Sequence, residues 1–389
     1  MSPADENNST SISIQQKLTN MNSLNPAIFR RRAFGRRVIA ACAILPAMWL
    51  ASCESLIYDS EGDCETVYEI QFVYDRNLKW ADAFSSEVGD VTLHVFEQAS
   101  GIHVMSETIS AEELTGNGNA VRLNIPPGDY QMLAWCGDGA HDNGYSFIPN
   151  VPTASRSAIN EMKCRMTRNH VAGNEKGIVD QEKGLSHLYH GIIKASLPAE
   201  EGSKVRLVMP LTKNTNSVKV VLQSMKGTEI DPDDYDIFIE DNNGYMDYDN
   251  TLIDDEPLVY KPWSTTGGSA EILNPDYADI EAPGAAHDSG PEVMSAVVAD
   301  LTVGRLMTKH RPILTVRDKG KGKNLFRIPI NDYALMVKGH YKHKMDDQEY
   351  LDRQDEYNMT FFLDENGEWL NMYIYINKWK VVVSEHELD

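Results

Sequence analysis

The residues of this sequence whose side chains could perform chemistry are scattered histidines, acidic runs and serines. Two histidine pairs, His187 with His190 and His340 with His343, have the i, i+3 spacing that would put both rings on one face of a helix. Neither pair has the HExxH order of a zinc protease, and no GxSxG sequence of a serine hydrolase occurs. We therefore interpret these histidines as surface residues and predict that the protein is not an enzyme.

Two acidic segments could offer oxygen ligands to calcium. They are Asp231-Pro232-Asp233-Asp234 and Asp241-Asn242-Asn243-Gly244. When Gly244 is set at the sixth position of an EF-hand loop, Ile239 occupies the first position, where that loop needs a ligand. We therefore predict solvated acidic loops and no metal site. A looser calcium site and a metal-dependent hydrolase are kept as alternatives.

Cys53 is placed where a thiol could carry lipid. The sequence Leu50-Ala51-Ser52-Cys53 is similar to the lipobox of bacterial lipoprotein precursors, which are cut just before the cysteine. Cleavage between Ser52 and Cys53 would leave Cys53 as the first residue, bearing diacylglycerol on its thiol and an acyl chain on its nitrogen. The small residues ahead of Cys53 would let the peptidase and the lipid reach the backbone. We predict no other cofactor.

The segment before Cys53 has the order of a secretory signal. Five arginines lie within residues 30–37, and an apolar run follows over residues 38–50. This run is too short to cross a hydrocarbon core of ~30 Å, which needs roughly 20 apolar residues. We therefore expect a signal peptide over residues 1–52, with Met21 as an alternative start. Lipid would then hold the mature chain on the cell outer membrane, exposed at the surface, because a diacylglycerol and a further acyl chain suffice for stable anchoring.

Charge and cysteine content limit the partners of the mature chain. Residues 1–52 hold six of the 36 basic and two of the 58 acidic residues, so the remainder carries a formal net charge of −26. Such a charge repels the phosphate backbone, which argues against nucleic acid as a partner. Cys64, Cys136 and Cys164 follow Cys53 without zinc-binding spacing, and they could form one disulfide with one thiol left free.

Alternating apolar residues predict strands over most of the mature chain. Such runs occur at residues 68–74, 91–95, 121–125, 130–135, 205–208, 218–222, 237–239, 313–317, 326–330, 360–363 and 372–383. Helical signals are few: a capping box from Ser110 to Glu113 and a possible short helix at residues 181–191. We therefore predict an all-β fold of two tandem β-sandwich domains, over residues 67–210 and 211–389, after a lipidated tether of residues 53–66.

Three segments carry more than generic strand patterning: residues 64–96, the hairpin IPPGDYQMLAWCGD at residues 125–138, and residues 373–383. Within the first, Asn77-Leu78-Lys79-Trp80-Ala81-Asp82-Ala83-Phe84 is the most specific part, because a strand pattern does not require it. With Cys53 shortly before the first strand, these segments resemble the FimB-type family, the minor-fimbrium anchoring subunits of type V fimbriae in Gram-negative anaerobes.

The resemblance implies two transthyretin-like β-sandwich domains on a lipid tether, which attach a fimbrium, or pilus, to the outer membrane and limit its length. The implied partners are the fimbrial subunits of the same fibre and the membrane lipid. Fimbrial subunits commonly join by strand addition, in which backbone hydrogen bonds give affinity and alternate side chains fill pockets. A core strand of the protein's own domain is the alternative role for the strand-exchange candidates, which are Met372, Ile374, Ile376, Trp379, Val381 and Val383.

A surface glycan-binding β-sandwich lipoprotein is the alternative function. It would need exposed aromatic rings as platforms for sugars, and Trp263, Trp369 and Trp379 are the candidates. Binding to polysaccharides would distinguish this function from fibre anchoring.

Overall fold

The computed structural model describes residues 66–137, 144–173, 175–179, 184–200, 202–224, 229–271, 293–370 and 373–382. Strands dominate these residues, so the predicted β fold is confirmed in its coarser form, as a mostly β structure. Over the same ranges, none of the helices combines the length and the apolar character needed to cross a bilayer. Ser52, Cys53 and Cys64 lie outside the described residues, as does the predicted signal peptide.

Twenty-two strands are numbered along the described residues. The first eleven are β1 (Val67–Val73), β2 (Asp90–Glu97), β3 (His103–Ser110), β4 (Ala120–Leu123), β5 (Gly128–Gly137), β6 (Tyr145–Ile148), β7 (Lys163–Met166), β8 (Gly177–Val179), β9 (Tyr189–Leu197), β10 (Lys204–Pro210) and β11 (Thr212–Lys213). The others are β12 (Thr215–Ser224), β13 (Tyr235–Asp241), β14 (Tyr245–Asp247), β15 (Leu258–Tyr260), β16 (Ser264–Glu271), β17 (Val293–Gly304), β18 (Ile313–Asp318), β19 (Lys323–Pro329), β20 (Glu356–Leu363), β21 (Tyr373–Ile376) and β22 (Trp379–Val382).

Two sheets enclose the first hydrophobic core. A three-stranded sheet has the order β10-β1-β4, and a five-stranded antiparallel sheet has the order β11-β9-β5-β2-β3. Strand β1 is parallel to β10 and antiparallel to β4. Its alternation turns Tyr68, Ile70 and Phe72 inward, where they pack with residues such as Leu93 and Met132 of the facing sheet. Burial of these side chains is the main stabilising contribution, at about 1.5–3 kcal/mol each.

Three further sheets surround the second hydrophobic core. Their orders are β16-β17-β12-β20-β21-β22, β19-β18-β13-β15-β8 and β14-β7-β6. Most pairings are antiparallel, whereas β12 pairs with β20, and β15 with β8, in parallel. Val220 of β12, Val297 of β17, Ile239 of β13 and Leu314 of β18 are fully buried in this core. Alternate residues of β13 and of most of β12 therefore face inward, as the sequence alternation predicts.

Helices are short and lie mainly near the sheet ends. They are α1 (Phe84–Glu87), α2 (Ala111–Thr115), α3 (Ile330–Met336) and α4 (Asp347–Arg353). The predicted capping box is present at the start of α2, where Ser110 and Glu113 each accept from the backbone N–H of the other. Asp346 caps α4, since its carboxylate accepts from the Glu349 N–H at 2.7 Å.

The predicted helix at residues 181–191 is wrong wherever these residues are described. Residues 184–188 have no regular structure, and residues 189–191 begin β9. Tyr189 pairs with Cys136 and Gly191 with Ala134 of β5, so the sheet supplies the backbone partners that a helix would have provided.

The division into tandem transthyretin-like domains at residue 210 stays a prediction. The structure adds that the described part of the stretch from Tyr145 to Leu188 packs in the second core, although it precedes that boundary. Within this stretch, β8 pairs with β15 and β7 with β14. The chain therefore contributes β7 and β8 to the second core before β9 and β10 add to the sheets of the first core. It then enters the second core again with β12.

Candidate attachment surfaces

The C-terminal hairpin lies at one edge of the six-stranded sheet. Strands β21 and β22 are joined by Asn377 and Lys378, and Ile376 pairs with Trp379 across this turn. Asn377 has φ of 54°, a left-handed conformation that asparagine tolerates better than most residues. Its N–H donates to the Asn358 carbonyl at 2.7 Å, and its side-chain oxygen accepts from the Asn358 N–H at 2.9 Å. The turn is therefore fixed to β20.

The strand-exchange candidates divide into buried and exposed residues. Ile374, Ile376 and Val381 are buried in the second core. Trp379 is 54% exposed. Met372 and Val383 lie outside the described residues. Three of the four described candidates thus fill the protein's own core, and strand exchange stays a prediction.

Strand β22 is the last strand of its sheet among the described residues. In a hairpin with a two-residue turn, the residues that close the turn bond to each other, and the next pair directs its backbone groups outward. That next pair is Tyr375 and Lys380. The N–H and C=O of Lys380 are therefore directed away from β21.

The three tryptophans proposed as sugar platforms differ in exposure. Trp263 is 40% exposed and packs beside Gly184, where a Cβ atom would lie 2.9 Å from the indole. Trp369 instead packs on the second core, with its ring 4.9 Å from that of Phe326, so it is not a free platform. Trp379 and Trp263 meet the exposure that sugar stacking needs.

An exposed tryptophan that sequence reasoning did not single out as a site lies between the two cores. Trp80, in the turn after β1, is 54% exposed, and the Arg353 guanidinium carbon of α4 lies 3.8 Å from its ring centre. Arg353 also donates to the Asp75 carbonyl at 2.9 Å. The available signal was the motif of residues 77–84, which strand patterning left unexplained. We call this contact the Trp80–Arg353 clasp.

A buried ion cluster also joins the cores. Lys213, only 8% exposed, places its Nζ atom 3.1 Å from Glu87 and 2.9 Å from Asp355. Burial alone would lower the pKa of Lys213, but the Asp355 and Glu87 carboxylates outweigh burial and raise it. Tyr189 donates to the Glu87 carboxylate at 3.0 Å. Burial, followed by the Glu87 charge, raises the pKa of the Tyr189 hydroxyl, so it stays protonated.

The paired histidines differ in their surroundings. His190 is buried and donates from Nε2 to the Tyr248 carbonyl at 2.8 Å, so its interpretation as a surface residue is wrong. Burial lowers the pKa of His190 to about 4. His187 is half-buried, and His343 is exposed at the end of a 3₁₀ turn over Gly339–His343. His340 lies in the same turn, but its side chain is outside the described part.

A different pair of histidines meets at one hydroxyl. His94 Nδ1 and His103 Nε2 each lie 2.6 Å from the Ser106 hydroxyl oxygen on β2 and β3. Burial lowers the pKa of His94 to about 4, with a smaller contribution from His103. Both rings are buried, so they stabilise this edge of the sheet rather than face a substrate.

The acidic segments serve as local structural contacts. Asp231 caps a 3₁₀ turn over Pro232–Asp234 by accepting from the Asp233 N–H. Asp241 is buried and lies 3.4 Å from His310 Nδ1, an interaction that raises the pKa of His310. Across the described ranges, no three histidine, cysteine or acidic side chains are grouped as a metal site would need. Cys136 and Cys164 are buried free thiols and do not pair with each other.

Comparison with known proteins gives a family match along most of the chain. The family described as Mfa2, fimbrillin-A associated anchor proteins Mfa1 and Mfa2, matches residues 60–385. No curated protein sequence matches.

Several solved structures are similar in fold. A candidate adhesin from Bacteroides thetaiotaomicron is 29% identical with a TM-score of 0.67, over 82% of this chain and 97% of that protein. A candidate polysaccharide-binding protein from the same organism is 27% identical with a TM-score of 0.65, over 83% and 100% of the two chains. The fimbrial anchor protein Mfa2 from Porphyromonas gingivalis is 15% identical with a TM-score of 0.57, over 82% and 100%, which shows a shared fold.

Proposed function

Because this chain belongs to the Mfa2 family of fimbrillin-A associated anchor proteins, we propose that it is a lipid-anchored outer-membrane protein that holds a fimbrium on the cell surface. The family match over residues 60–385 is the observation that carries the proposal. It confirms the family resemblance. It also confirms that the protein is not an enzyme, which removes the metal-dependent hydrolase. Membership of a fimbrial anchor family implies a location at the cell surface.

The lipid attachment is proposed at Cys53, ahead of the first strand. A diacylglycerol with an N-acyl chain exceeds the single chain that gives only marginal membrane binding. The tether of residues 53–66 has 14 residues and could span at most about 50 Å when fully extended. The folded body would therefore stay close to the membrane, with its first strand entered directly from the tether.

The fibre is proposed to join by adding a strand to β22. Strand β22 is the last strand of its sheet among the described residues, and the exposed Trp379 ring at its start offers apolar contact. Ile374, Ile376 and Val381 are held in the second core, which favours the hairpin as an acceptor edge over a donated strand. An anchor that keeps its own hairpin and accepts a strand at one edge has no strand to donate to a further subunit. It would therefore occupy one end of a fibre and in this way limit fibre length.

The anchoring role is tested by replacing the two proposed attachment points separately. Cells with Cys53→Ala should shed fibres into the medium, whereas the Cys64→Ala control should retain them. Trp379→Ala removes the exposed ring at the start of β22, and it should also release fibres. Trp263→Ala removes an exposed ring just before β16, at the other end of the strand order in the same sheet, and is its matched control. Fibres of normal length that stay on Cys53→Ala cells would refute the anchor role.

Glycan binding stays a second candidate because a relative that is 27% identical is described as polysaccharide-binding. Trp263 and Trp379 have the exposed rings that sugars could stack on. If this function holds, the chain should be retained on immobilised polysaccharide, and Trp263→Ala or Trp379→Ala should weaken retention. Retention that is unchanged in both variants would exclude these platforms.

A further inference from the structure

Strand β1 runs from the tether towards the second core. At its start, the Thr66 hydroxyl donates to the Glu200 carbonyl at 2.6 Å, in the turn that leads to β10. At its end, the Leu211 N–H donates to the Val73 carbonyl at 2.8 Å, and Arg353 of α4 donates to the Asp75 carbonyl. The beginning of β1 therefore lies at the end of the first core that is remote from the second core, and the end of β1 lies at the junction.

Strand β10 is parallel to β1. The chain therefore leaves β10 at the junction, which is the opposite end of the pair from the tether. The two strands pair over seven residues, from Val67 opposite Lys204 to Val73 opposite Pro210. From Pro210 the chain continues through β11 directly into β12 of the second core. The tether thus enters β1 at the remote end of the pair. The connection to the second core leaves β10 at the junction end.

From this arrangement we propose that the β1–β10 pair is a mechanical clamp that resists tension between the membrane tether and the fibre. The proposal rests on the anchoring function, since that function sets the two points where tension is applied. Tension would pull β1 and β10 in opposite directions along their common axis. Because the bonds of a parallel pair are evenly spaced, this shear loads them together, whereas pulling from one end would break them one after another.

Side chains oppose the same sliding motion. Tyr68, Ile70 and Phe72 on the inner face of β1 are 3%, 0% and 0% exposed, so moving the strand along its axis would pull them out of the first core. On the outer face, Glu69 bridges to Lys204 at 2.9 Å and to Arg206 at 2.8 Å across the pair. Four residues of β4 pair with the other side of β1. Displacement of β1 therefore requires its packing and its hydrogen bonds to fail in one step.

The clamp is tested by pulling single molecules in two geometries. One handle is joined to the N-terminus of the full, unlipidated chain, and the second is inserted at Gly320 in the exposed turn between β18 and β19. This turn follows Asp318, which pairs with Tyr235 at the start of β13. The residues after the end of β13 return to the junction, where Asn250 bonds to Asn214 at 2.7 Å, so the Gly320 turn lies at the opposite end of the second core. In the comparison chain the second handle is inserted after Gly202, beside the start of β10.

Pulling through Gly320 should need a force several times higher than pulling through Gly202, because the first geometry shears β1 against β10 and the second unzips them. Exposed turns with glycine tolerate insertions, and equal urea midpoints of both chains verify that stability is unchanged. Equal rupture forces, or a first rupture that unfolds the second core while β1 stays paired, would overturn the clamp. Because no fibre takes part, this result is independent of whether Cys53→Ala cells shed their fimbriae.

Discussion

Arg353 covers one face of Trp80, with its guanidinium carbon 3.8 Å from the ring centre. Trp80 belongs to the turn that follows β1, and Arg353 ends α4, so this contact joins segments whose numbers differ by more than 270. Trp80 has φ of 54°, which is uncommon for a residue with a side chain. Asn77 fixes the turn, because its carbonyl accepts from the Trp80 N–H at 3.2 Å and its side chain donates to the Ala81 carbonyl at 2.7 Å.

The clasp predicts energetic coupling between Trp80 and Arg353. In a double-mutant cycle of Trp80→Ala and Arg353→Ala, we expect a coupling of roughly 1 kcal/mol in the free energy of unfolding, measured with urea. A cycle of Trp263→Ala with Arg353→Ala is the control and should be additive. Additivity in both cycles would show that the ring and the guanidinium contribute independently.

The buried Lys213 predicts a large loss of stability when its charge is removed. Lys213→Met would leave Glu87 and Asp355 without their shared cation, and we expect unfolding to become easier by roughly 3 kcal/mol. Arg311→Met is the matched control, because Arg311 forms a salt bridge with Asp332 at the surface. The side chains of Arg311 and Asp332 are 62% and 50% exposed. Exposed pairs contribute about 1 kcal/mol or less. A loss for Lys213→Met no larger than for the control would contradict the role of the cluster.

Two buried histidines predict a loss of stability in weak acid. Burial lowers the pKa of His94 and His190 to about 4, whereas an unfolded histidine titrates near 6.5. Between these values the unfolded chain binds protons that the folded chain does not. The free energy of unfolding should therefore fall as the pH drops from 6.5 to 4, by up to about 1.4 kcal/mol per pH unit for each histidine.

Urea unfolding across this pH range measures the effect. His94→Gln should reduce the pH dependence by the share of one histidine. The exposed Asn324→Gln changes no titrating group, so it is the control and should leave the slope unchanged. A slope that does not respond to His94→Gln would show that His94 is accessible to protons in the folded chain.

The hairpin predicts that its apolar face stabilises the second core. Ile376→Ala removes a fully buried side chain, and we expect a loss of roughly 2–5 kcal/mol in the free energy of unfolding. Lys380→Ala on the exposed face should change stability by less than about 0.5 kcal/mol. An Ile376→Ala protein as stable as the parent would mean that β21 leaves the core readily, which would favour a donated strand.

Strands were predictable from the sequence where one face is buried. Val91, Leu93 and Val95 alternate with more polar residues, and they lie in β2 with their side chains in the first core. The capping box at Ser110 was equally predictable, because it depends only on residues three positions apart. Patterns of this kind are predictable because the residues that stabilise the element lie within a few positions of each other.

Contacts between distant segments were not predictable from local patterns. The burial of His190 depends on the Tyr248 carbonyl, and that of Trp369 depends on Phe326, neither of which lies nearby in sequence. The packing of residues 145–188 in the second core likewise depends on β14 and β15, which follow about eighty residues later. A period-two pattern shows that a strand is buried on one face, but it does not show in which core.

The parallel pairing of β1 with β10 also sets an order of folding. Residue partners in this pair are 137 positions apart, and those of β12 and β20 are 139 apart. Non-local pairings of this kind slow folding, since loop closure must precede the contacts that stabilise it. A chain that emerges N-terminus first therefore leaves the edge of β1 that pairs with β10 open until more than a hundred further residues have followed. During that interval β1 is open to incorrect partners, and a holdase that shields it would raise the yield of folded protein.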